Sequence, residues 1–214
     1  RDRAAELLGD LTDQCVLGRL ARLDLAAGQL PPARSLGGPR TPSGEDAAVA
    51  DDRCADDRHH DRDATVHEVE LTPTPELSAE VDALAERYGG RVGLDAVLGD
   101  LDRRLRRTLA PCLTPHRAWT WDRADRGDRT WWPQGVSVVG RHVAVSWYAR
   151  GGGSRVSFLD LDTRRYRHVS LVVPTAGGFE PLRIHAGGLA WAGDRLYVAA
   201  TKAGLWVCDT RDVV

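Results

Sequence analysis

The stretch WWPQGVSVVGRHVAVSWYARGGGSRVSFLDLDT, residues 131–163, holds three tryptophans, apolar runs broken by glycine, and an acidic exit. The runs are short, β-branched and aromatic, which predicts strands joined by tight turns. A second stretch, GLAWAGDRLYVAATKAGLWVCDTRD at 188–212, follows the same plan. With Gly135 set on Gly188, Val136 meets Leu189, Val138 meets Trp191 and Gly140 meets Gly193. Val143 then meets Leu196, Val145 meets Val198 and, after a shorter loop in the second copy, Asp160 meets Asp209. The glycines are 53 residues apart. A four-stranded unit of about that length is the mark of a β-propeller blade, a plain β-meander being the alternative.

Within each unit an inner strand opens after a glycine that allows close approach around a central channel. The Gly140-Arg141 and Gly193-Asp194 turns reverse the chain into a second strand. A third strand exits through an aspartate able to bond the turn backbone. TRRYRHVSLVVP supplies a fourth strand to the first unit, and no fourth strand follows the second. Two units are an arc of a ring that needs roughly four to eight. The early AWTWD at 118–122 is the candidate for the strand that closes it.

Outward from this half, strands are expected at 118–121, 135–139, 142–148, 155–161, 167–173, 187–191, 195–200 and 205–209. Upstream, Leu7, Leu8, Leu11, Cys15, Leu20 and Leu23 recur at helical spacing, so residues 3–27 read as a helix. Residues 31–64 lose all periodicity and read as a disordered linker rich in Pro, Gly, Asp and Arg. TVHEVEL suggests a strand at 65–71. Thr74 as cap, Pro75 in the first turn and Gly89 past the end frame a helix with Leu77, Val81, Leu84 and Tyr88 on one face. A second helix is expected at 93–109 from the stripe Leu94, Val97, Leu98, Leu101 and Leu105, ended by Pro111. The expected organisation is a helical segment at 1–30, the linker at 31–64, a short helical region at 65–117 and a partial propeller of two blades at 118–214.

Composition bounds the function. Lys+Arg 29 against Asp+Glu 31 gives a net charge of −2 in 214 residues, without the basic excess of a nucleic-acid surface. Lys202 and Ile184 are the sole lysine and isoleucine, and Asn and Met are absent, a bias expected of a GC-rich, actinobacterial genome. No apolar run reaches the roughly 20 residues of a membrane span. The missing initial Met and the last strand-like run predict a fragment, and the 214 residues themselves hold no signal-peptide pattern. Cys15, Cys54, Cys112 and Cys208 lack zinc or redox spacing. In a secreted protein Cys54–Cys112 is the pairing to expect, with free or buried thiols the alternative, and Cys208 reads as core.

AWTWDRADRGDRTWWPQG, SWYARGGGSRVSFLDLDT, YRHVSLVVPTAGG and IHAGGLAWAGDRLYVAAT resemble a group of actinobacterial secreted β-propeller-like proteins of uncharacterised function. The resemblance runs from about residue 101 to the end. It implies export and a propeller-like fold, and no particular activity.

Ligands of propellers gather where loops enter the innermost strands. The alignment places Trp132 and His185 at matching positions there. Trp131 or Trp132 can stack on a sugar ring, Gln134 can orient a polar ligand, and His185 can ligate a metal or act as a base. The same residues can instead fill space between blades or bond backbone carbonyls. The first expectation is therefore a binder of an extracellular glycan or small molecule, or an interaction platform. The second is a lactonase-like or glycan-cleaving hydrolase with a metal on the channel axis, near His185 and Glu180. The Cys54, Asp56, Asp57, His59, His60 and Asp61 run lacks an ordered scaffold for a metal. GGGS at 151–154 reads as a hairpin tip, because no Lys-Ser/Thr and helix follow it.

Overall fold

In the second half of the chain, alternation and turn glycines build what they predict. The computed structural model describes residues 15–17, 21–25, 71–110, 117–201 and 204–214. They belong to one structural unit, mainly β, whose sheet curls as a half-barrel.

The first sheet is an antiparallel meander of β7 (Trp131–Val139), β8 (His142–Ala149), β9 (Gly153–Asp160) and β10 (Arg165–Thr175). The second begins β12 (Gly188–Ala192), β13 (Arg195–Ala199) and β14 (Leu205–Asp209). The two share one register. Val136 pairs Val145 and Val138 pairs Val143, as Leu189 pairs Val198 and Trp191 pairs Leu196. His142 faces Asp160, as Arg195 faces Asp209. Both first hairpins turn on a glycine in the left-handed region, Gly140 at φ 58° and Gly193 at φ 55°, where a side chain would be strained. Asp160 Oδ1 accepts from the Asp162 and Thr163 amides at 2.8 and 3.0 Å, and Asp209 Oδ1 from the Arg211 amide at 2.9 Å.

The edges β7 and β12 meet. A Cβ on Gly135 would lie 2.7 Å from the Leu189 nitrogen and 2.9 Å from the Gly188 carbonyl carbon, so only glycine permits this approach. Two residues along each strand, the Trp191 amide donates to Ser137 Oγ at 2.9 Å.

The alternation of β8–β10 sorts two buried faces. Ala144, Val156, Phe158, Val169 and Leu171 face the second sheet, joining Leu196, Val198 and Cys208 in one core. Val143, Val145, Leu159 and Tyr166 face the other way, under Trp119 and Trp121. Covered on both sides, all eight residues of β9 are buried. A further strand, β11 (Gly178–Pro181), unexpected from sequence, pairs with β10.

Several expectations upstream are corrected. The helix expected over 3–27 is, where described, two strands: β1 (Cys15–Leu17) runs parallel to β10, and β2 (Ala21–Leu25) antiparallel to β14. Both sheets offer unpaired backbone at β10 and β14, and pairing with it outweighs the apolar spacing. The second sheet thus gains its fourth strand from β2, with β3 (Leu71–Pro73) beside it. The AWTWD strand, expected to close a ring, is β6 (Ala118–Thr120) and pairs only with β5 (Arg106–Thr108) among the described strands.

The first expected helix is α1 (Ser78–Arg87), burying Val81, Leu84 and Ala85. It begins after Leu77 rather than at Thr74. The second, α2 (Gly93–Gly99), stops ten residues short of the expected 109, at Gly99-Asp100, two poor helix formers. Leu101 and Leu105 are still buried, but from extended chain, because β4 (Arg103–Arg104) pairs with β10 and β5 with β6. The 65–70 part of the expected strand, the linker, Cys54, Cys112 and the acidic-histidine run lie outside the described residues. Cys208 is a buried free thiol, pushed up to about 12 by burial. No described helix is long and apolar enough to cross a membrane.

Candidate functional site

Trp132 and Tyr148 are partners across β7 and β8, so their rings leave the same face. Trp132 is 50% exposed. Tyr148 stacks on His185, with ring centroids 4.2 Å apart and planes at 24°. Trp132 and His185, matched by the repeat, are therefore joined through Tyr148, which the sequence reading did not single out. The Trp132 and Tyr148 side chains leave the face that also carries Ser146, with His185 stacked on Tyr148, and we call this aromatic face the shelf.

The segment bearing His185 is held on both sides. Ser154 Oγ donates to the Ile184 carbonyl at 2.8 Å, and Ser146 Oγ donates to the Ala186 carbonyl at 2.7 Å. Ser146 Oγ also accepts from the Gly135 amide at 2.9 Å, linking His185 to the strand that bears Trp132. Ala186 is buried at φ 53°, a strained conformation for a residue with a Cβ. Such strain persists only where the surroundings over-determine it, and it recurs at binding sites. The shelf is preorganised.

The other expected site residues fall elsewhere. Trp131 is half-buried with the Arg155 guanidinium 4.3 Å from its ring centre, a packing role. Gln134 is exposed at the irregularity between Pro133 and Val136, and its amide donates to the Pro133 carbonyl at 2.9 Å. Glu180 is exposed on β11 opposite Val173. Among the described residues, no three of His, Cys, Asp and Glu are grouped to hold a metal ion.

The opposite face of the first sheet holds a polar hub that sequence reasoning missed. Asp122 caps α3 (Arg123–Gly127), accepting from the Asp125 amide at 2.9 Å, and so points Asp125 at the sheet. Asp125 Oδ2 receives Tyr166 OH at 2.5 Å, His168 Nε2 at 2.9 Å and Arg103 at 3.1 Å, and Oδ1 faces Arg155 at 3.4 Å. The chain continues inward: His168 Nδ1 lies 2.7 Å from Ser157 Oγ, which accepts from Trp147 Nε1 at 2.6 Å.

Burial pushes the His168 pKa down, against its bond to Asp125, so the ring is neutral at pH 7. Neutral His168 donates from Nε2 to Asp125 and accepts from the Ser157 hydroxyl at Nδ1. Burial alone would raise the Asp125 carboxyl. The His168 and Tyr166 hydrogen bonds and the Arg155 charge win and hold it below the usual carboxylate range. Burial also lowers Arg155 to about 10, opposed by Asp125, and the arginine stays charged.

Ser157, His168 and Asp125 thus follow the order of a nucleophile–base–acid chain. Ser157, however, has 0% exposure, and its hydroxyl is spent between Trp147 and His168. A nucleophile must reach its substrate. The hub is a structural network that fastens α3 to three strands. Its signal in the sequence was faint: Ser157 and His168 interrupt otherwise apolar runs.

No protein family, curated protein or solved structure matches this chain.

Proposed function

We propose that the chain carries two blades of a β-propeller-like fold and uses the Trp132–Tyr148–His185 shelf to bind the ring of an extracellular glycan. The single observation that carries this reading is the aromatic face: Tyr148 stacked on His185, whose segment is held by two buried serines, beside a half-exposed Trp132. Flat aromatic faces bind the C–H faces of sugars through apolar and dispersion contact. The blade reading is supported by the shared register of the two sheets and by the glycine contact between their leading strands. The extracellular setting rests on the family resemblance.

Titration of the full chain with soluble N-acetylglucosamine oligomers, followed by tryptophan fluorescence, is expected to show saturable quenching. Trp132→Ala should weaken binding about tenfold, equivalent to ~1.4 kcal/mol. Trp131→Ala should act on stability, since that ring packs on Arg155. Absence of any response across neutral oligosaccharides, or full affinity in Trp132→Ala, would refute the shelf as the site.

A further inference from the structure

Beside the β5–β6 ribbon lies a cleft of about 830 Å³ lined by Arg107, Arg117, Trp119, Leu161, Asp162 and Arg164. It shares no residue with the aromatic shelf and does not depend on it. We propose that this cleft binds a carboxylate-bearing saccharide, a uronic-acid residue or a short uronate oligomer.

Charge comes first. Among the described residues three guanidiniums line the cleft against one carboxylate, and Asp162 is itself 3.6 Å from Arg141, which offsets its charge. Arginine presents a planar fork that matches a carboxylate with two parallel hydrogen bonds. Size follows: the volume lies within the roughly 300–1,000 Å³ that encloses a small ligand.

Arg164 adds an independent observation. It sits at φ 58°, in the left-handed region that a side chain adopts only at an energetic cost. Its amide donates to the Asp160 carbonyl at 2.8 Å and its carbonyl accepts from the Leu105 amide at 2.9 Å, so the position is fixed at both ends. Glycine would satisfy that backbone without strain, as it does at Gly140 and Gly193. The side chain that occupies the position instead lies over Trp119, 5.3 Å from its ring centre. A cation held at an aromatic face in a strained turn is a feature of binding sites.

The lining also selects the ligand class. Trp119, half-buried beneath Arg164, gives the cleft an apolar wall, and the Asp162 carboxylate can accept from sugar hydroxyls.

Calorimetric titration of the full chain with trigalacturonate should give saturable heat that weakens with added salt. Neutral galactose oligomers should bind at least about tenfold more weakly, and Arg117→Ala and Arg164→Gly should each lower trigalacturonate affinity about tenfold. Arg164→Gly should at the same time keep or raise the Tm, which separates loss of a ligand contact from loss of the fold. Three outcomes would overturn the proposal: no trigalacturonate binding, tighter binding of AMP than of trigalacturonate, or unchanged affinity in both variants.

Discussion

Replacing Asp125 by asparagine is expected to lower the unfolding free energy by about 3–5 kcal/mol, the usual cost of leaving a buried charge without its partner. Asparagine keeps the size of the side chain but removes the charge. Arg155, only 5% exposed and held between the Trp131 and Trp147 rings, then has no counter-ion at hydrogen-bond range among the described residues. Tyr166 and His168 lose their anionic acceptor as well. Urea unfolding monitored by tryptophan fluorescence measures the effect. A loss below about 1 kcal/mol would place Asp125 among ordinary surface pairs and contradict the hub.

The hub also sets the direction of the pH dependence. His168 and Asp125 both have folded-state pKa values below their unfolded ones. The unfolded chain therefore takes up more protons on acidification, and stability falls as pH falls. The His168 contribution is complete above its unfolded value of about 6.5 and is lost as pH drops from there through its folded value. The Asp125 contribution is lost only below about 3.9. The wild-type unfolding midpoint should thus begin to decline as pH falls below about 6.5, and His168→Gln should flatten that decline while starting from a lower stability.

Gly135→Ala is expected to cost about 3 kcal/mol, the upper end for overpacking. The new methyl would stand 2.7 Å from a backbone nitrogen and 2.9 Å from a backbone carbon, neither of which can rotate away. β7 and β12 must then separate, breaking the Trp191–Ser137 hydrogen bond. Gly188→Ala is the control. Its methyl meets the Ala199 methyl at 3.2 Å, a contact that a small shift relieves. Equal stability of Gly135→Ala and wild type, by the same urea assay, would show that the two sheets do not meet here.

The parts of the fold legible in the sequence were those ruled by local periodicity. The strands of the two meanders were readable from alternation, and their turns from Gly140 and Gly193. The alignment of Gly135 with Gly188 anticipated the shared register because a one-residue slip would exchange the two faces of each strand. What escaped was non-local. Leu20 and Leu23 keep helical spacing, yet Ala21–Leu25 is a strand because β14, whose Leu205 pairs with Leu23, offers an edge. Leu101 and Leu105 likewise serve the core from extended chain.

The site was half legible for the same reason. Trp132 and His185 emerged from the repeat, but Tyr148, which joins them, lies on a different strand, and its partner His185 is 37 positions on. Asp125 had no signal of its own. Its role depends on Tyr166, His168, Arg155 and Arg103, brought together by three strands and a capped turn.

The central claim is that two sheets of equal register meet through their leading strands and so set His185 beside the strand that carries Trp132. The nuclear Overhauser spectrum of the folded chain tests it most directly. A strong cross-peak is predicted between a Gly135 Hα and the Leu189 amide proton, because the direction in which a Cβ would point leads straight to that nitrogen. Normal β7–β8 cross-strand peaks with no contact from Gly135 to any amide of β12 would contradict the account.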